Sequence, residues 1–204
     1  MKLSKMLSFG LAAAMTLSLS MSAYAGEAKS ANVDPANTEM TDETIVINLS
    51  AEPSALWGGG SGKVENEMQI VNAALMDTLV KQDHNTGEIL PNLATEWEWT
   101  DDTHCKFTLR DDVVMSDGTP LVADDVVYSV NTWIEYSANS DTGRFLADAS
   151  AEDEHTVTIG FNTIAPDFLS MMSWSNFGVF SEDEINAVGG LEEAATNPSF
   201  GSGK

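Results

Sequence analysis

Glu96-Trp97-Glu98-Trp99 and His104-Cys105-Lys106-Phe107-Thr108-Leu109-Arg110 both alternate polar with apolar, and Thr100-Asp101-Asp102-Thr103 lies between them. Successive side chains of a strand point to opposite faces, so the pattern predicts a β-hairpin with a four-residue connection. One face carries Trp97, Trp99, Cys105, Phe107 and Leu109. The other sets acids opposite Lys106 and Arg110, which suits cross-strand charge pairing.

The flanks are equally readable. From about Glu65 to Val80, Met68, Val71, Leu75 and Leu79 fall on one helical stripe. Lys81 to Asp83 reads as extended, and Asn85-Thr86-Gly87 turns the chain. Beyond the hairpin, Ser116-Asp117-Gly118-Thr119-Pro120 is a tight turn in which Gly118 supplies the positive φ. A helix from about Val122 to Tyr136 follows, with Val126, Val127, Val130 and Ile134 as its apolar stripe. Asp124 and Asp125 sit in its first turn, where they complement the helix dipole.

Further on, Asn139 to Arg144 is a loop and His155 to Phe161 alternates as a strand. Pro166 to Met172 reads as helical, Asn176 to Phe180 as a short strand, and Ser181 as the N-cap of another helix. Upstream, Thr44 to Leu49 is the first credible strand, and Ser50 to Lys63 is an irregular, glycine-rich loop. Hairpins and helices without regular strand–helix alternation indicate an α+β (mixed α/β) fold.

Nine Lys+Arg against 32 Asp+Glu give a net charge of -23. A field of that sign repels nucleic acid and anionic lipid headgroups, so neither is an expected partner. The first 25 residues read as an address. Lys2 and Lys5 precede an uncharged, mostly apolar run from Met6 to Met21, and Ala23-Tyr24-Ala25 is a small-x-small cleavage site. Cleavage is expected after Ala25, and no cysteine stands there to accept lipid. The expected location is outside the cytoplasmic membrane, periplasmic or secreted. The single Cys105 has no disulfide partner within the chain and reads as a buried structural thiol.

No recognised catalytic pattern is present. Gly58 to Lys63 (GGGSGK) fails as a phosphate loop because Trp57 holds the first glycine position and Val64 follows the lysine. His84, His104 and His155 lack metal-ligand spacing. Asp101-Asp102, Asp111-Asp112 and Asp124-Asp125 are adjacent carboxylates, which diverge instead of facing each other across a cleft. No enzyme, metal or cofactor is therefore expected.

Ordered blocks from Leu79 to Trp133 resemble the family 5 extracellular solute-binding proteins of ABC importers, the oligopeptide-, dipeptide- and nickel-binding relatives. They are Asp77-Thr78-Leu79-Val80, Gly87-x-Ile89-x-Pro91-x-Leu93-Ala94-x-x-Trp97, Phe107-x-Leu109-Arg110-x-Asp112-Val113, Ser116-Asp117-Gly118-Thr119-Pro120-Leu121 and Ala123-x-Asp125-Val126-Val127-x-Ser129. The chain departs from the family pattern after Leu56, where Trp57-Gly58 replaces the Asp-Pro of many relatives, and it is considerably shorter than they are.

The resemblance implies a partial lobe I of the periplasmic-binding-protein type II kind, with its inserted subdomain and without the second lobe. It divides the chain into a signal peptide (1–25), a leader (26–43), a first segment of lobe I (44–74), a subdomain (75–162) and a return into lobe I (163–204). It implies capture of a peptide or similar small solute for ABC permease subunits, by a monomer. The loop after the first strand then supplies the ligand contacts: Ser54, Trp57, Gly58, Gly59, Gly60 and Glu65. Trp174 is a further candidate, set against packing in the core. The alternatives are a secreted hydrolase and a stand-alone structural or adhesion module with no transport role.

Overall fold

A computed structural model describes residues 49–50, 52, 66–136, 145–196 and 201–202 of the chain. The expected signal peptide, leader, first strand and glycine-rich loop lie almost wholly outside the described residues.

The predicted hairpin is the frame of the fold. β3 (Ala94–Trp99) and β4 (His104–Leu109) pair antiparallel, with Trp97 opposite Phe107 and Trp99 opposite Cys105. The connection closes through the Thr100 N–H on the His104 carbonyl (2.9 Å). Asp101 accepts from the N–H and the hydroxyl of Thr103 inside it. β5 (Leu146–Asp153) and β6 (Thr156–Phe161) complete a four-stranded antiparallel sheet in the order β3-β4-β6-β5. One face carries Cys105, Phe107, Val157 and Ile159, none with any exposure. The other is polar, and there Lys106 lies 3.5 Å from Glu98 and 3.4 Å from Glu152.

α2 (Ala123–Tyr136) covers the apolar face at β5 and β6, with Val126, Val130 and Trp133 buried. The Asp125 carboxylate accepts from the Val122 N–H (2.9 Å), satisfying one orphan donor of the helix start. α3 (Phe168–Met171) places Phe168 against Phe107 and Phe161, with ring centroids 6.2 and 3.9 Å apart. A short two-stranded sheet, β1 (Val80–Gln82) and β2 (Ile89–Pro91), precedes this unit. The Ala94 N–H joins it to the hairpin through the Leu79 carbonyl (2.9 Å). Its Asn85-Thr86-Gly87 turn is held by the Asp83 carboxylate, which accepts from the N–H groups of Asn85 and Thr86.

After α3 the chain runs through the 3-10 turn Ser175–Phe177, α4 (Glu182–Ala187) and α5 (Leu191–Ala194). Ser129, inside α2, donates to the Phe180 carbonyl (2.8 Å) and accepts from the Phe180 N–H (3.0 Å). Both partners are buried, so each polar group that leaves water finds another.

Three expectations are corrected, and one strand is added. The first described helix, α1 (Asn66–Leu75), stops short of Val80. Thr78 bridges Gly178, and Val80 belongs to β1. Asn176 to Phe180 is not a strand: the 3-10 turn occupies its start and only Gly178 pairs. Arg110 does not pair across the hairpin, because Asp112 takes its Nε at 2.7 Å. β5 was not expected, since LADASAED carries too few β-branched or apolar residues to announce a strand.

Candidate functional site

Trp174 is the one proposed contact residue among the described residues. Ser54, Trp57, Gly58, Gly59, Gly60 and Glu65 all lie outside them. Trp174 is 46% exposed and so is not packed in the core. Its backbone is nonetheless fixed. The Trp174 N–H closes the end of α3 on the Met171 carbonyl (3.0 Å), and the Trp174 carbonyl accepts the Phe177 N–H (2.9 Å) to open the 3-10 turn. Ser175 then ties this corner to α1 by donating to the Gln69 carbonyl (2.9 Å). Trp174 is the N-cap of that turn, in an extended conformation.

The indole lines a groove of about 410 Å³ with Gln69, Ala73, Gln82, His84, Ser173 and Ser175. The Gln82 amide is already used, donating to the Gly87 carbonyl (3.0 Å) and accepting from the Ser170 hydroxyl (3.2 Å). The Ser173 hydroxyl donates to the Ser170 carbonyl. Among the described residues the Trp174 indole, the Gln69 amide and the His84 ring make no hydrogen bond. The groove thus sets an apolar plate beside a few uncommitted polar groups.

One carboxylate of each doublet is engaged by a local partner. Asp101 turns to Thr103 and to His104 (Oδ2 to Nδ1, 2.9 Å), which hold its carboxyl down to about 2. Asp112 is held below the usual carboxylate range by its hydrogen bond from Arg110. Burial pushes Asp125 upward, against the Val122 N–H. Cys105 is fully buried, and burial raises its thiol to about 12, which removes the thiolate a nucleophile needs. Among the described residues no group of three His, Cys, Asp or Glu side chains could hold a metal ion.

The return of the chain at Gly201-Ser202 was not legible as a structural centre. The Asp77 N–H donates to the Ser202 hydroxyl (3.0 Å), which donates to the Val179 carbonyl (3.0 Å). Glu184, 3% exposed, accepts from the Gly201 N–H (3.3 Å). Its only sequence signal was the Ser181-x-x-Glu184 spacing of a capping box, which is present.

Residues 88–201, more than half of the chain, match the family model described as bacterial extracellular solute-binding proteins, family 5 Middle. A curated relative, the periplasmic murein peptide-binding protein MppA of Escherichia coli K12, is 28% identical over 94% of this chain and 37% of its own length. The solved MppA in its unliganded open form is 27% identical, with a TM-score of 0.58 over 76% of this chain and 33% of that one. DppA from Helicobacter pylori, solved with the peptide STSA, shares the fold at 21% identity, with a TM-score of 0.63 over 75% of this chain and 34% of that one. The described fold is thus part of a periplasmic-binding-protein type II architecture, and the chain spans about a third of the length of these relatives. On the family match, this chain belongs to the family 5 bacterial extracellular solute-binding proteins.

Proposed function

We propose that this chain is the lobe I portion of the substrate-binding component of an ABC importer. It captures a peptide or similar small solute outside the cytoplasmic membrane for delivery to permease subunits. The observation that carries the reading is the family match across the sheet, α2 and the return at Gly201. The relatives are named as binding proteins, not enzymes, and MppA is named as periplasmic. Export with cleavage after Ala25 agrees with that location.

In this reading residues 44–74 form the first segment of lobe I, 75–162 its subdomain and 163–204 the return. Solute contacts come from Ser54, Trp57, Gly58, Gly59, Gly60 and Glu65, and from Trp174 at its groove. A second lobe closes over the solute as a hinge motion, driven by the solute's better fit to the closed state. The binding unit is a monomer and needs no cofactor.

The test is uptake. Cells lacking the gene are supplied with labelled di- and oligopeptides, then complemented with the complete reading frame. Restored accumulation of at least one peptide is expected. Unchanged accumulation of every peptide and small solute offered contradicts the transport role.

A further inference from the structure

A second surface stands apart from the Trp174 groove and does not depend on the transport reading. Trp99 ends the edge strand β3 with its side chain 42% exposed. Its inner side is anchored, because the indole lies 5.7 Å from the Phe161 ring and 5.8 Å from the Phe168 ring. Ile164, at 63% exposure the most open large apolar residue described, lines one groove with Trp99. Asp101, Asp102, Ala165 and Pro166 complete its lining, around about 290 Å³. Single exposed apolar residues are ordinary on a protein surface. Here an aromatic plate and an open aliphatic side chain share one groove whose charged residues are both acidic.

We infer that this groove docks a basic protein segment that inserts an apolar side chain between Trp99 and Ile164. Charge complementarity selects the partner. Both acids of the groove are exposed, and among the described residues no Lys or Arg lines it. His104 is the nearest basic group in sequence, and its ring is engaged by Asp101. A second copy of a chain with a net charge of -23 is repelled, as is an anionic membrane surface. Lysine or arginine side chains answer Asp101 and Asp102, and the Trp99 ring accepts an aliphatic stem or a cation over its face.

The test titrates the isotope-labelled chain with a short peptide alternating lysine and leucine, followed by NMR. Saturable shifts centred on the Trp99 indole and the Ile164 methyls are expected, weakening as salt is raised. The exposed substitutions Ile164→Ser and Asp102→Asn are each expected to weaken binding by about threefold or more while leaving the remaining spectrum in place. Peptides alternating glutamate with leucine, or lysine with serine, are expected to bind at least about threefold more weakly, since each lacks one half of the match. Equal binding of either control overturns the proposal. So do shifts elsewhere on the protein, indifference to both substitutions, or concentration-dependent shifts of the groove without peptide, which would mark self-association.

Discussion

The Glu184 carboxylate accepts hydrogen bonds from both the N–H (3.1 Å) and the hydroxyl (2.6 Å) of Ser116, which lies 68 residues earlier. The same carboxylate takes the N–H groups of Ser181 and Gly201. One buried acceptor thereby joins the Ser116-to-Pro120 turn, the start of α4 and the returning chain. Glu184→Ala leaves those donors unsatisfied and is expected to cost about 3 kcal/mol. Glu184→Gln keeps one acceptor oxygen but turns an amide donor toward donors, with an expected cost of about 1–2 kcal/mol. Urea unfolding of the two variants checks both values, and a loss below about 0.5 kcal/mol for the alanine variant contradicts the assignment.

Gly201 and Gly178 both close on the end of α1. A Cβ at Gly201 would stand 2.3 Å from the Leu75 carbonyl oxygen, and one at Gly178 would stand 2.5 Å from the Met76 Cβ. Gly201 also holds φ at +125°, a region L side chains rarely enter. Gly201→Ala is expected to cost more than about 3 kcal/mol, because strain and backbone collision add. Gly118→Ala is the control. Its φ of +91° is strained, but nothing stands within 4 Å of the new Cβ, so about 1 kcal/mol is expected. Equal costs in a denaturant series would show that the close approach is unimportant.

Cys105 reports on the opening of the sheet. With its thiol buried and raised to about 12, it is expected to resist alkylation at pH 8 in the native chain. It is expected to react fully once urea unfolds the protein. The labelling rate across the transition then measures exposure of the β4 core. Prompt labelling of the folded protein contradicts the described packing.

Asp101 sets the acid limit of the hairpin connection. Its carboxyl titrates at about 2 in the folded chain, below its ordinary 3.8, because Thr103 and His104 hydrogen-bond the charged form. A depressed folded value means the contribution is present in full above the unfolded pKa and is lost as pH falls through the folded one. The sensitive window therefore runs from about pH 4 down to about pH 2. An NMR titration of the Asp101 carboxyl is expected to show a midpoint near the lower end, and Asp101→Asn is expected to flatten stability across the window. A midpoint at the ordinary value removes the effect.

The hairpin, α2 and the turns at Gly87 and Gly118 could be read from sequence because local patterning and turn chemistry determine them. The limits of α1 could not. The stripe of Met68, Leu75 and Leu79 continues past Leu75, while the Thr78–Gly178 bridge and the Ser202 hydroxyl at Asp77 impose an extended path. β5 is a strand because β6 pairs with it and α2 packs on it, although its Asp, Glu, Ser and Ala residues do not favour one. At the site, Trp174 was visible as a residue type, but only the fold shows its side chain turned out beside His84 and Gln69. Glu184 was visible only as a helix cap, because its other partners come from two distant segments.

Solute capture is tested most directly by calorimetry on the protein made from its complete reading frame. Wild type and Trp174→Ala are each titrated with di- and oligopeptides. Saturable heat with at least one peptide is predicted, with affinity about tenfold weaker in Trp174→Ala, roughly the loss of one aromatic contact. No saturable heat with any peptide or other small solute would contradict solute capture, and equal affinity of the two proteins would remove Trp174 from the site.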